Sequence, residues 1–103
     1  MARFDPLIHQ PIRLRIMAAL NALPEDAQLD FSALRNMLDV TDGNLATHLR
    51  KLEDAGYIAV EKTFVGRRPR TYIALTPQGR QAFAEHVQAL REILGEGEQP
   101  PPQ

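Results

Sequence analysis

The sequence predicts an α+β fold, mainly α, with a three-helix core followed by a β-hairpin and a C-terminal helix. Three observations predict it. Residues 41–55 form a capped, polar-faced helical segment that runs directly into a β-rich stretch; a shorter helical segment stands three residues before it; and two runs rich in β-branched and aromatic residues, 57–64 and 70–75, flank the connection Val65-Gly-Arg-Arg-Pro69. At 103 residues and 44% hydrophobic content, the chain can bury one modest core without disulfides or metal.

In order along the chain, Asp5 suits a cap, Pro6 a first helical position, and Pro11 opens a second, longer helix after one turn. Ile12, Ile16, Ala19, Leu20 and Leu23 fall on one apolar stripe of that helix, which Pro24, Glu25 and Asp26 end. A brief extended piece over 28–31 leads to a helix of about seven residues, capped by Ser32 or Asp30, with Leu34, Met37 and Leu38 facing inward. Residues 39–41 form a turn. Thr41 then caps the third helix, which Gly56 stops in the left-handed conformation. The two β runs make a hairpin through a five-residue loop, Val65 to Pro69. Thr76 and Pro77 open the last helix, where Phe83, Val87, Leu90 and Leu94 repeat at i, i+4, i+7 and i+11. Residues 5–94 thus make one domain, and 95–103, with no apolar side chain, are expected to be disordered.

The absence of cysteine removes disulfides, thiolate zinc sites and thiol nucleophiles. The apolar runs are short, and the start M-A-R-F-D-P lacks the apolar core of a signal peptide, so a cytoplasmic protein away from membranes is expected. The net charge of −1 conceals a polarised distribution. Residues 44–72 hold six basic side chains (Arg50, Lys51, Lys62, Arg67, Arg68, Arg70) against three acids (Glu53, Asp54, Glu61), a local +3. From Glu85 onward Glu85, Glu92, Glu96 and Glu98 face only Arg91, a local −3. One surface is therefore suited to a polyanion although the sum is not.

On the third helix Leu45, Leu49 and Leu52 define the buried side, so Gly43, Asn44, Thr47, Lys51 and, on the flank, Arg50 face outward beyond the Thr41 cap. A helix fits the B-form major groove, where amide and hydroxyl side chains bond base edges while Lys and Arg reach phosphate or guanine. Asn44 and Thr47 are the candidates for base readout; Arg50 and Lys51 set affinity. Gly43, at the positive end of the helix dipole, lets backbone amides approach a phosphate. His48 lies at the edge of the leucine stripe, where a structural hydrogen bond and a DNA contact both fit. In the hairpin, Arg67, Arg68 and Arg70 are expected to place three guanidinium groups at the tip of a ribbon covering 64–71, against a phosphate backbone or a minor groove, with Lys62 adding a phosphate contact. Arg13 and Arg15 read as surface charges. A short helix, a three-residue turn, a polar-faced helix and a basic ribbon together make a winged helix-turn-helix.

The strings D-P-L-I-H-Q-P-I-R-L-R-I, T-D-G-N-L-A-T-H-L-R-K-L-E-D-A-G-Y-I and T-F-V-G-R-R-P-R-T-Y-I-A-L-T-P-Q-G-R resemble small prokaryotic winged-helix transcriptional regulators related to the MarR and ArsR groups, in the subgroup that is little more than the DNA-binding domain. The likeness covers about residues 5–94. It implies a homodimer on a palindromic operator of double-stranded DNA, with Asn44, Thr47, His48 and Lys51 of the third helix and Arg67, Arg68 and Arg70 of the wing in DNA-facing segments. The sequence departs from the metal-sensing ArsR pattern: it has no cysteine, and His9, His48 and His86 are not paired at ligand spacing. It also lacks the longer flanking helices that give larger MarR-type proteins a ligand pocket, so no cofactor or small-molecule effector is assigned.

For dimerisation, Phe83, Val87, Leu90, Ile93 and Leu94 of the last helix are the candidates, because the distal part of that helix can overhang so small a core and bury its apolar face in a second copy. The alternative is that it folds back on its own first helix. Repression by occluding a promoter is the leading expectation, and a winged-helix module that binds protein rather than DNA is the rival. No nucleophile with a base, paired carboxylates or phosphate-binding glycine loop supports an enzyme.

Overall fold

The computed structural model describes residues 1–95, so the tail expected to be disordered lies, apart from Gly95, outside the described residues. A single turn over 6–9, closed by the His9 N–H on the Asp5 carbonyl at 3.0 Å, precedes α1 (Pro11–Asn21). Then follow β1 (Leu29–Asp30), α2 (Phe31–Leu38), α3 (Asp42–Asp54), β2 (Ile58–Val65), β3 (Arg68–Leu75) and α4 (Pro77–Leu94). The strands form one antiparallel sheet in the order β1-β3-β2.

Side-chain caps start the helices. Gln10, Asp30, Thr41 and Thr76 each accept a hydrogen bond from the backbone N–H three residues on, which satisfies one of the donors a helix start leaves free. Asp30, not Ser32, is the cap of α2. The stops are equally local: Asp39, Gly56 and Gly95 take positive φ at or just past the ends of α2, α3 and α4.

The core gathers Ile8, Ile16, Met17, Leu20, Leu34, Leu38, Leu45, Leu49, Leu52, Ile58, Ile73 and Phe83 from every helix and from both long strands. Leu45, Leu49 and Leu52 are buried as their spacing predicts, and cutting any one to Ala costs roughly 2–5 kcal/mol. On α1 the buried set is Ile16, Met17 and Leu20, while Ile12 and Ala19, and Leu23 just past the helix end, pack at its margin. Met37 is a correction: it is 56% exposed, because α2 turns Leu34 and Leu38, with Phe31 at the margin, toward the core.

Two contacts fix α4 against the end of α3. The Thr76 hydroxyl donates to the Gly56 carbonyl at 2.6 Å while accepting from the Gly79 N–H at 2.9 Å. Gly79 itself lies so close to the Tyr57 backbone that any Cβ there would collide with the Tyr57 carbonyl. The exit of α3, the start of β2 and the start of α4 are thereby held as one unit.

Candidate nucleic-acid interface

Across the turn between α2 and α3, the Arg35 guanidinium meets the Asp42 carboxylate at 2.7 Å, and the Thr41 hydroxyl accepts the Asn44 N–H at 3.1 Å. Both contacts lie at the point where α3 begins. With its leucines buried, α3 shows solvent a face on which Thr41, Gly43, Asn44, Thr47, Arg50 and Lys51 are all exposed. The Thr47 hydroxyl donates back to the Gly43 carbonyl at 2.9 Å, so its oxygen is left as an acceptor toward any partner. Gly43 has nothing within 4 Å of where a Cβ would stand, so no packing inside the protein explains a glycine there.

His48 is half-buried behind this face, with its Nδ1 3.1 Å from Arg13 Nη1. Burial first, then the Arg13 and Lys51 cations, hold its pKa below the usual histidine value. The imidazole is therefore neutral at pH 7, accepting from Arg13 through Nδ1. Arg13, read from sequence as a surface charge, is a half-buried clamp that also donates from Nε to the Leu7 carbonyl at 2.6 Å. Arg15 reaches the Leu38 carbonyl at 3.4 Å at the end of α2.

The wing is longer and tighter than its sequence suggests. Pairing of β2 with β3 runs from Ile58 opposite Leu75 to Val65 opposite Arg68, so the loop is the dipeptide Gly66-Arg67 and not five residues. Gly66, with φ +66°, supplies the positive φ that a type II′ turn needs at its first central position. Pro69 joins the ladder opposite Phe64. In a two-residue hairpin that pair is the non-hydrogen-bonded one, so the position where an N–H is missing faces away from β2. β1 reaches only as far as Tyr72, and the site opposite Pro69 is open.

Strand alternation divides the wing into two faces. Lys62 and Phe64 share the face of buried Ile58 and of Val60, toward α3, where Lys62, Thr71, Arg50 and Glu53 line a shallow cleft of about 220 Å³. Arg68 and Arg70 lie on the other face. Arg70 Nε is 3.7 Å from the Asp30 carboxylate, whose second oxygen accepts the Ala33 N–H at 3.1 Å as the cap of α2. The tip therefore carries Arg67 and Arg68, with Arg70 set back at the base of the free ribbon, a correction to the expectation of three guanidinium groups at the tip. All three remain exposed, and no acid occurs between Glu61 and Glu85.

A second polar cluster joins the N-terminal turn to the start of β2 and to α4, where sequence reasoning found none. The Asp5 N–H donates to His86 Nδ1 at 2.9 Å, the Tyr57 hydroxyl donates to the Asp5 carboxylate at 2.5 Å, and His9 Nδ1 lies 3.3 Å from His86 Nε2. Phe4 packs on both imidazoles, edgewise on His86 and tilted on His9. His86 is fully buried, and burial followed by the neighbouring His9 lowers its pKa. The bond to Asp5 and burial push the Tyr57 hydroxyl up to about 12. The contacts span 52 to 81 positions of sequence, and the one local signal available was the place of His86 three residues after Phe83 on α4. His9 and His86 thus meet in space, and among the described residues no group of three or more His, Cys, Asp or Glu is placed to hold a metal.

The candidates for dimerisation divide along α4. Phe83 belongs to the core of its own chain, Val87 packs at the core margin, Leu90 is half-buried, and Ile93 and Leu94 stand 67% and 70% exposed. Among the described residues no helix is long and apolar enough to cross a membrane.

The profile of a winged helix DNA-binding domain family matches residues 12–94. The chain is 32% identical over 87 residues to an uncharacterized protein of Methanocaldococcus jannaschii, MJ0432, covering 84% of this chain and 91% of that one. It superposes on a transcriptional regulator homologue from Pyrococcus horikoshii with a TM-score of 0.77 and 29% identity, covering 90% of this chain and 89% of the other. A structure from Enterococcus faecalis, described as a transcriptional regulator of the MarR family, matches with a TM-score of 0.66 and 26% identity over 86% of this chain and 76% of that one.

Proposed function

The chain belongs to the winged helix DNA-binding domain family, and we propose that it is a homodimeric repressor that binds a palindromic operator, with α3 in the major groove and the wing on the backbone or minor groove. That it is a DNA-binding regulator follows from the family and the regulators it resembles. The reading of the site rests on one observation: α3 exposes Asn44, Thr47, Arg50 and Lys51 on the side opposite its buried leucines, beside a wing whose tip holds Arg67 and Arg68.

In this reading Asn44 and Thr47 read bases, and Arg50, Lys51, Lys62, Arg67, Arg68 and Arg70 contact phosphate or sugar. Gly43 and the Thr41-capped helix start offer backbone N–H groups to a phosphate. His48 supports α3 from behind through Arg13. Val87, Leu90, Ile93 and Leu94 pair with their counterparts on a second copy, backed by Phe83, which sets two recognition helices about one DNA turn apart. The protein acts in the cytoplasm, by covering promoter DNA.

Selection of bound fragments from a random duplex library, followed by fluorescence anisotropy on the winner and a scrambled control, tests the proposal. A palindromic winner bound at least ~10³-fold more tightly than the control is expected. On that site Asn44→Ala lowers specific more than random-sequence binding, while Lys51→Ala lowers both alike. An unenriched library would turn the reading toward a protein-interaction module.

A further inference from the structure

Phe64 is 71% exposed, belongs to no part of the core cluster, and stands directly beside the turn of the wing. The other exposed aromatic ring, Phe4, rests against His9 and His86. The position of Phe64 on the ribbon is nonetheless set by the strand register. Its cross-strand partner is Pro69, and the dipeptide turn closes one position away. Lys62 shares the face of Phe64 and Arg67 stands in the turn, while Arg68 and Arg70 lie on the other face of the same ribbon, with no acid from residue 62 to 84.

We propose that Phe64 is an apolar wedge that the wing inserts into the minor groove of DNA, pressed against a base step while the neighbouring cations hold the flanking phosphates. The inference rests on the reading of the chain as a DNA-binding regulator. A phenyl ring on a ribbon that carries cations on both faces suits a ligand that is anionic outside and apolar within, and the base stack between two phosphate strands is such a ligand. The reach is sufficient. β1 supports β3 only to Tyr72, so about four residue pairs project beyond it, roughly 13 Å at 3.3 Å each, against a minor groove about 7.5 Å deep. Phe64 also lies on the α3 side of the ribbon, so a wing that enters the minor groove carries the ring toward the part of the site that α3 reads.

The wedge adds affinity without charge, which separates it from the arginines. Phe64→Ala, Phe64→Tyr and Arg67→Ala are compared with the wild-type chain on the duplex won from the random library, by anisotropy across a salt series, and on the same duplex carrying 2-aminopurine at successive steps. Phe64→Ala is expected to weaken binding about 5- to 100-fold with an unchanged salt slope, and to abolish a fluorescence rise that the wild type and Phe64→Tyr produce at one step. Arg67→Ala is expected to lower the slope by about one. Equal affinity and equal 2-aminopurine signal for Phe64→Ala and wild type, with Arg67→Ala still weakened, would overturn the wedge and leave the DNA-binding reading standing. A wild-type chain that binds no duplex would overturn both. Unchanged thermal melting of Phe64→Ala establishes that the hairpin survives the substitution.

Discussion

Arg13 and His48 meet across 35 positions of sequence, with Nη1 3.1 Å from Nδ1, and this bond ties α1 to the rear of α3. The same guanidinium holds the Leu7 carbonyl, so one side chain joins the N-terminal turn to the helix assigned to DNA. His48 accepts only while neutral, and the Arg13 charge is one reason it stays so.

Arg13→Ala removes that cation and frees the imidazole. The His48 pKa is expected to move up toward its ordinary value but not reach it, since burial is the larger cause of its depression. Loss of two hydrogen bonds at a half-buried site costs about 1–2 kcal/mol of stability. Titration of the His48 ring protons by NMR, with thermal melting alongside, checks both. An unmoved pKa would show that the pair is not formed in solution.

His86, buried within the cluster it forms with Asp5, Tyr57 and His9, is expected to make stability depend on pH. His86 has a lowered pKa in the folded chain, so below about pH 6.5 the unfolded chain takes up a proton that the folded one refuses. Stability is then full above that value and falls as pH drops through the window beneath it. His48, shifted the same way, adds to the fall. Melting at pH 7.5 and 5.5 should show a loss in the wild type that is smaller in His86→Gln. An identical loss in both would place the acid sensitivity elsewhere.

The elements that carry the candidate interface were legible in sequence because their determinants are local. Thr41 and Thr76 cap within three residues, and Leu45, Leu49 and Leu52 mark their own inner face. The two-residue turn was not, because Pro69 reads as loop unless one knows that its strand edge is open at that point. Nor was the inward pull on Met17 rather than Met37, which depends on where neighbouring helices lie. Arg13 with His48, and Asp5 with His86, join residues far apart in sequence that only the assembled fold brings together.

Two glycines in helices separate packing from function. Gly79→Ala forces a Cβ into the Tyr57 backbone, where neither side can yield cheaply, and is expected to cost about 2 kcal/mol or more. Gly43→Ala meets nothing within 4 Å and gains helix propensity, so stability should hold or rise by about 0.5 kcal/mol. If backbone amides at the start of α3 touch a phosphate, the same alanine weakens DNA binding. Undiminished binding by Gly43→Ala would remove that contact from the interface.

Ile93 and Leu94 leave two apolar side chains in water at the end of an 18-residue helix whose inner face is buried from Gly79 to Ala89. A second copy placed there would cover them. Replacing both with Glu spares the buried Phe83 and the fold, but sets like charges against one another across a two-fold contact. Sedimentation is expected to find a dimer for the wild type and a monomer for the double variant, and the palindromic site should then lose at least tenfold in affinity while a half-site binds as before. A wild-type monomer that nevertheless binds the palindrome two to one would mean that the dimer assembles on DNA, with Ile93 and Leu94 contributing only there.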